Sequence, residues 1–210
     1  MALENRISIE CPSLVDIRDL TSLHQQVFSG TVGVMLGQTY IRNFIKWFIN
    51  NSETFFIARD SQRVVGYIFG APSGYATEMN RALLSIILWS VLTHPRVLFD
   101  ARLVRQIRSR IRSVIRPPYR TAGLLDAYLD GSTHIYRLTA IGVSPLYRGQ
   151  GIGRLLLKTY EQSVWKLGFD QIQLSVYSSN LEARTLYESC GWILVSDNAR
   201  LMVFAKHRIF

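Results

Sequence analysis

Acidic side chains are scarce in this chain, and cysteines scarcer. Fifteen Asp and Glu face 24 Lys and Arg, for a formal charge of +9 at pH 7. The two cysteines, Cys11 and Cys190, allow at most one bridge, which excludes a disulfide scaffold and suggests a reducing compartment. Met1-Ala-Leu-Glu-Asn-Arg6 lacks the basic lead and apolar core of a secretory signal. The longest apolar run, Ala82 to Leu92, is short of the roughly 20 residues that span a bilayer. No repeat or low-complexity linker is present, and no metal is expected. A cytoplasmic location is the expectation.

What is present suits a folded chain. Hydrophobic residues make up 48% and aromatics 11%, which excludes disorder, and 210 residues fit one domain, 1–210, with a sizeable core. The positive charge is concentrated. Between Arg96 and Arg120 there are eight Arg and only Asp100 against them, a net +7.

Arg6 to Glu10 alternates as a short strand, and Pro12-Ser13 opens a helix that stops at Ser29-Gly30. Gly33 and Gly37 read as a loose joint before a second helix, Gln38 to Asn50, whose Tyr40, Phe44, Trp47 and Phe48 form an aromatic face suited to core packing. Thr54–Ala58 and Val64–Phe69 form a hairpin. An insertion of about 72–131 follows: an apolar helix, Met79 to Leu92, then a basic amphipathic one, Asp100 to Arg116. His134 to Val143 is a strand, Gly151 to Leu167 a helix, Gln171 to Tyr177 a parallel strand, and Asn180 to Cys190 a helix. Trp192–Val195 and Leu201–Lys206 close the chain as strands. This order gives a mixed α/β layer.

Between the His134–Val143 strand and the next helix lies Val143-Ser-Pro-Leu-Tyr-Arg148-Gly149-Gln150-Gly151-Ile152-Gly153-Arg154. Glycines permit positive φ and a close backbone approach. Free N–H groups at a helix N-terminus, with the helix dipole, suit an anionic oxygen, so the turn reads as a pyrophosphate cradle. No Lys-Ser/Thr follows the glycines, and no Gly-x-Gly-x-x-Gly with a well-placed acid is present, so two nucleotide-loop types are excluded.

After the Gln171–Tyr177 strand comes Asn180-x-x-Ala183-x-x-x-Tyr187-x-x-x-Gly191-Trp192, an N-cap, two residues on one helical face and a glycine stop. With Arg148-x-x-Gly151-x-Gly153 in the same order, this chain resembles the GNAT superfamily of N-acetyltransferases, closely over about residues 135–195. The resemblance implies a GNAT fold: a mixed, mostly antiparallel central sheet splayed at a bulge, flanked by helices, with a helical-hairpin insertion. It implies acetyl-CoA as co-substrate, with its pyrophosphate on the N–H groups from Arg148 through Gly149, Gln150, Gly151, Ile152 and Gly153 to Arg154. The pantetheine arm would meet the N–H groups of Ile141 and Val143 beside a bulge near Ile141–Gly142, and Asn180. Tyr187 would protonate the departing thiolate.

A free alkylamine has a pKa near 10, so its proton must be taken at neutral pH. Some family members carry a Glu six residues before Val143, where this chain has Arg137. His134 is the candidate base, with Tyr136, a water chain, Glu53, Asp126 and Asp130 as alternatives. The basic insertion reads as a lid with solvated arginines, or as a contact for an anionic membrane surface or a phosphate-bearing acceptor. Nucleic acid is disfavoured because no recognised binding motif is present. The expected activity is transfer of acetyl to a primary amine of a small molecule or amino sugar. A protein acceptor, a catalytically silent CoA-binding module, a homodimer and a peripheral membrane location remain open.

Overall fold

A computed structural model describes residues 6–93, 104–105, 107–108, 111 and 135–208. The chain divides into two compact units. One comprises Met1–Pro12, Asn51–Ser73 and Ser132–Phe210; the other comprises Ser13–Asn50 and Gly74–Gly131.

The first unit is built on a seven-stranded sheet in the order β1-β2-β3-β4-β5-β7-β6. Its strands are β1 (Ile7–Glu10), β2 (Phe56–Asp60), β3 (Arg63–Pro72), β4 (Ile135–Val143), β5 (Gln171–Tyr177), β6 (Ile193–Asn198) and β7 (Leu201–His207). All neighbours are antiparallel except β4 and β5, which are parallel and joined through a crossover helix, as the sequence order predicts. That helix spans Ile152–Lys166 and places Ile152, Leu156, Leu157, Tyr160 and Val164 in one cluster with Ile172, Leu174, Val176 and Phe204 of the sheet. The near-four-residue spacing is what sequence periodicity requires of a helix packed on a sheet. The last helix of this unit, Leu181–Ser189, contributes Tyr187 to the same cluster.

β4 carries the irregularity that matters. Phe69 pairs with Ala140 and Gly70 with Leu138, so Thr139 is an extra residue on β4. The bulge therefore lies at Thr139, ahead of the expected Ile141–Gly142. Gly70 explains the position: a Cβ there would overlap the Tyr160 hydroxyl and the Arg137 carbonyl oxygen. Tyr160 donates to that carbonyl at 3.1 Å, and the Ser52 hydroxyl donates to the Gly70 carbonyl at 2.6 Å. Two carbonyls at the disturbed ladder thus find side-chain donors, each worth about 1 kcal/mol net.

Glu161 ties this unit together on its helical side. It is only 8% exposed, yet its carboxylate accepts from the Trp192 indole at 2.8 Å and from the Lys206 ammonium at 2.7 Å. The same ammonium donates to the Cys190 carbonyl at 2.7 Å. A buried charge paired and hydrogen-bonded in this way fixes the geometry of three elements.

The second unit holds α1 (Ile17–Val27), α2 (Val32–Met35), α3 (Gln38–Asn51) and α4 (Tyr75–Thr93); the two helices of the first unit are α5 (Ile152–Lys166) and α6 (Leu181–Ser189). The joint at Gly33 contains the short helix α2, which the sequence reading lacked. The aromatic face of α3 packs as core: Tyr40 and Phe48 are buried, Phe44 meets Phe48 edge-on at 5.2 Å, and Phe48 meets Tyr75 at 5.6 Å. Of the basic helix expected over Asp100–Arg116, the described residues Val104, Arg105, Ile107, Arg108 and Ile111 are helical, with Ile107 buried and both arginines exposed. The rest of that helix, and with it the hairpin, lies outside the described residues.

Two outcomes follow. Gly70→Ala should destabilise the protein by about 3 kcal/mol, against about 1 kcal/mol for Gly66→Ala. The added Cβ of the latter meets the Leu156 side chain at 3.1 Å and the Gly142 carbonyl oxygen at 3.2 Å. Urea titration of both variants compares them. His24, stacked on Phe28 at 4.8 Å, has its pKa lowered by burial from 6.5 to about 4. The folded state then resists protonation, so stability is complete above pH 6.5 and declines as pH falls to 4, by up to about 3 kcal/mol. Thermal unfolding across that range should show the decline, and His24→Phe should flatten it.

Candidate active site

β4 exchanges bonds with β5 only at Ile135–Gln171, Tyr136–Ile172 and Arg137–Gln173. Beyond that point β4 stays on β3 as far as Val143, while β5 stays on β7 as far as Tyr177. The two parallel strands therefore diverge, leaving a wedge-shaped gap with its apex at Arg137 and Gln173. The Ser144 N–H donates to the Val65 carbonyl at 2.8 Å. Alternation along an antiparallel ladder then points the N–H of Gly142 at β3 and those of Ile141 and Val143 at the gap. Ile141 and Val143 are half-buried and Gly142 is buried.

The mouth of the gap is the turn. A 3-10 helix, Pro145–Tyr147, leads to Arg148, and Gly149 (φ +73) and Gly151 (φ +79) bring the chain round to α5. A Cβ at either glycine would meet nothing within 4 Å, so positive φ is what requires them there. Gly153 differs: its Cβ would lie 3.2 Å from Leu186 Cδ2, so its absence lets α5 and α6 approach. The Arg148 N–H donates, at 3.5 Å, to the Pro145 carbonyl. Among the described residues none accepts from the N–H groups of Gly149, Gln150, Gly151, Ile152, Gly153 or Arg154. A row of unpartnered donors at a helix N-terminus is an anion site in waiting.

Side chains frame that row. The Arg148 guanidinium pairs with Glu182 at 2.9 Å on the surface, and Arg154 donates to the Ser189 hydroxyl at 3.3 Å. Gln150 donates to the Leu146 carbonyl at 3.4 Å. Below the turn, the Tyr147 hydroxyl donates to Asp60 at 2.9 Å, and Arg6 pairs with the other Asp60 oxygen at 2.8 Å. Burial alone would raise the Asp60 carboxyl. The bonds from Tyr147 and Arg6, with the Arg6 charge, outweigh it and hold that carboxyl below its ordinary value. The bond to Asp60 in turn raises the Tyr147 phenol. Sequence reasoning missed this anchor, because its members come from the residue before β1, from β2 and from the turn.

On the other flank, Asn180 Oδ1 accepts from the Ala183 N–H at 3.1 Å and caps α6, as its sequence context predicts. Tyr187 is 5% exposed, its ring 5.8 Å from Trp192 and 6.0 Å from Phe204. Burial pushes its phenol well above the usual tyrosine range. Among the described residues none accepts from its hydroxyl.

The candidate bases fare differently. His134, Asp126 and Asp130 lie outside the described residues. Tyr136 sits in the core: burial raises its phenol, and its hydroxyl accepts from Thr54 at 3.1 Å. Glu53 is exposed, close enough to Tyr136 to add to that rise. Arg137, at the apex, carries no basic lone pair. No described group of three or more His, Cys, Asp or Glu could hold a metal ion. No described helix is long and apolar enough to cross a membrane.

Known proteins share this fold. PH1933 from Pyrococcus horikoshii OT3 matches with TM-score 0.63 at 20% identity, over 97% of this chain and 99% of its own. The paia N-acetyltransferase from Thermoplasma acidophilum, solved in complex with coenzyme A, matches with TM-score 0.55 at 14% identity, over 96% and 99%. The ribosomal-protein-S18-alanine N-acetyltransferase from Escherichia coli matches with TM-score 0.54 at 15% identity, over 95% and 92%. At these identities the likeness is one of fold. None of the curated proteins matches the sequence. The family described as acetyltransferase (GNAT) matches residues 18–192, most of the chain. An open sheet with a gap between its parallel strands and bare amides at the mouth thus agrees with an independent match, and the chain belongs to the GNAT acetyltransferase family.

Proposed function

We propose that this protein transfers acetyl from acetyl-CoA to the primary amine of a small molecule by direct attack. One observation carries the reading: the unpartnered N–H groups from Gly149 to Arg154 stand at the mouth of the gap between β4 and β5. A diphosphate fits those amides, and an extended pantetheine arm fits a slot whose β4 wall offers the N–H groups of Ile141 and Val143. Arg148 and Arg154 add positive charge at the mouth, and Asn180 and Tyr187 line the α6 side.

In the reaction the amine lone pair forms the N–C bond to the thioester carbonyl, and the C–S bond breaks with its electron pair on sulfur. A main-chain N–H from β4 stabilises the carbonyl oxygen as charge develops. Tyr187 donates a hydrogen bond to the departing sulfur. Burial keeps its phenol protonated through and beyond neutral pH. That same shift makes it too weak an acid to surrender its proton fully to a thiolate whose thiol has a pKa of about 8.5. Donation without complete transfer is the role its surroundings support, and the thiol takes its proton from solvent. β4 and β5 carry no carboxylate or imidazole. The proton of the attacking amine therefore leaves through water, or through His134, the residue before β4 in the sequence.

The acceptor is open on two sides. The +7 segment from Arg96 to Arg120 suits a phosphate-bearing amine or amino sugar, or an anionic membrane surface. The fold it shares with the S18-alanine enzyme favours a protein N-terminus as the second reading. Purified protein, acetyl-CoA and a thiol-detecting reagent, with amino sugars, alkylamines and an alanine-initiated peptide, separate the two. Stabilisation by acetyl-CoA without turnover on any of them would instead support a CoA-binding module.

Tyr187→Phe should lower kcat by roughly 10- to 1000-fold with little change in the Kd for acetyl-CoA. Steady-state kinetics and calorimetry read the two quantities separately. Because the phenol is raised, wild-type activity should show no alkaline loss from Tyr187 below pH 10. Tyr147→Phe unpins the turn from Asp60. It should raise the KM for acetyl-CoA by about three- to tenfold while kcat changes less than twofold, since one bond to a carboxylate is lost and no reacting group moves.

A further inference from the structure

At the apex of the gap, on the sheet face away from Tyr187, lies a side-chain oxygen with no hydrogen-bond partner among the described residues. Gln173 is 1% exposed, and its Oε1 is fully enclosed without a hydrogen bond. Its neighbours on β5, Ile172 and Leu174, belong to the cluster that contains Tyr187 and α5. Strand alternation therefore puts Gln173 on the opposite face. It is the last β5 residue paired to β4, opposite Arg137, and it pairs with Ala205 on its other side. Further along the same face of β5, Ser175 and Tyr177 are exposed, so solvent reaches this face just beyond the amide.

The geometry points to Gln173 as the residue that holds the acceptor, its side-chain carbonyl accepting a hydrogen bond from the amine that attacks. This inference rests on the acetyl-transfer reading above. The co-substrate enters at the amides and fills the slot beside α5 and α6, so the acceptor must reach the thioester from the remaining face. Gln173 stands on that face at the last paired rung between β4 and β5, where the gap begins. An enclosed carbonyl oxygen without a donor is costly, and a ligand N–H removes that cost when it binds.

The chemistry also sets a preference. A primary amine aligned for attack has two N–H bonds: one proton leaves during the reaction, and the other remains to be donated. A secondary amine has only the proton that leaves. Gln173 therefore selects primary over secondary amines. Being neutral, it does so without favouring the unreactive ammonium form, as a carboxylate in its place would. Sites that hydrogen-bond a substrate group discriminate strongly against analogues lacking it, because the site's own group is then left unpaired.

The test compares wild type with Gln173→Leu, using acetyl-CoA with n-butylamine and with N-methylbutylamine as probes. In the variant, KM for n-butylamine should rise tenfold or more, and the primary-to-secondary ratio of kcat/KM should fall at least tenfold. The Kd for acetyl-CoA, by calorimetry, should stay within twofold. Tm should be unchanged or higher, because an enclosed orphan oxygen has been replaced by an apolar group of similar size. That pairing of equal or greater stability with a weaker hold on the amine is not expected of a structural residue. If Gln173→Leu does not fold, Gln173→Met is read by the same criteria. An unchanged KM and ratio overturn the assignment while leaving acetyl transfer intact, and so does a loss of acetyl-CoA affinity that matches the loss of activity. A wild-type protein that binds acetyl-CoA but acetylates neither probe, nor glucosamine, nor an alanine-initiated peptide overturns both readings together.

Discussion

After Arg137, β4 and β5 stop exchanging hydrogen bonds, and most of the first unit is arranged so that this separation costs little. Parallel strands ordinarily continue their ladder as far as both extend, because an unpaired main-chain group inside a protein is unfavourable by a few kcal/mol. Here the extra residue at Thr139 bends β4 away, and Gly70 on β3 makes room for the bend. The Tyr160 hydroxyl, reaching down from α5, satisfies the Arg137 carbonyl where the strands part. β5 keeps its ladder with β7 along its whole length, so the sheet opens without losing its far edge.

The crossover helix then has two duties that one sequence must meet. Its inner face holds the sheet through Leu156, Tyr160 and Val164, and its first turn leaves amides bare. A helix N-terminus without a side-chain cap is ordinarily a weak end. Here Gly151 stands at the N-cap with no side chain to offer. Stability comes instead from further along: Glu161 bonds Trp192 and Lys206, and Gly153 lets Leu186 of α6 close against the first turn. The strand side is held by Tyr147 on Asp60. The turn is thus fixed at its base and along α5, while its amide row makes no internal bond.

These relations explain what could be read from the sequence and what could not. Glycine positions, the Asn180 cap, the bounds of β5 and the parallel crossover are local: each depends on a residue's own backbone preference or on a short periodic run. They were legible for that reason. The family resemblance implies a bulge near Ile141–Gly142, yet here it falls at Thr139, opposite Gly70 on the neighbouring strand and beside Tyr160. Gly153 reads as part of the phosphate turn, and only the approach of Leu186 shows that it serves helix packing. Asp60, Tyr147 and Arg6 are far apart in sequence, and no local signal links them. Gln173 looks like any polar residue on an alternating strand until its register with Arg137 is known.

Several buried polar groups away from the gap in this unit are matched. Asp60 has Arg6 and Tyr147, Glu161 has Trp192 and Lys206, and Tyr136 has Thr54. At the gap the pattern reverses: among the described residues the amides after Arg148 find no acceptor and Gln173 Oε1 finds no donor, and Tyr187, on α6, donates to no described residue. Arg184 Nε, on α6 one turn after Asn180, is enclosed without a partner as well, although that side chain still reaches the Ser178 carbonyl at 3.1 Å. Unmet polar groups scattered at random would mark poor packing. In this unit the bare amides stand at the mouth of the gap, and the Gln173 amide lies beside its last paired rung, on the sheet face away from Tyr187. Main-chain donors left bare at the mouth of a gap, and an enclosed acceptor beside its apex, are the kind of incompleteness that a bound ligand would complete.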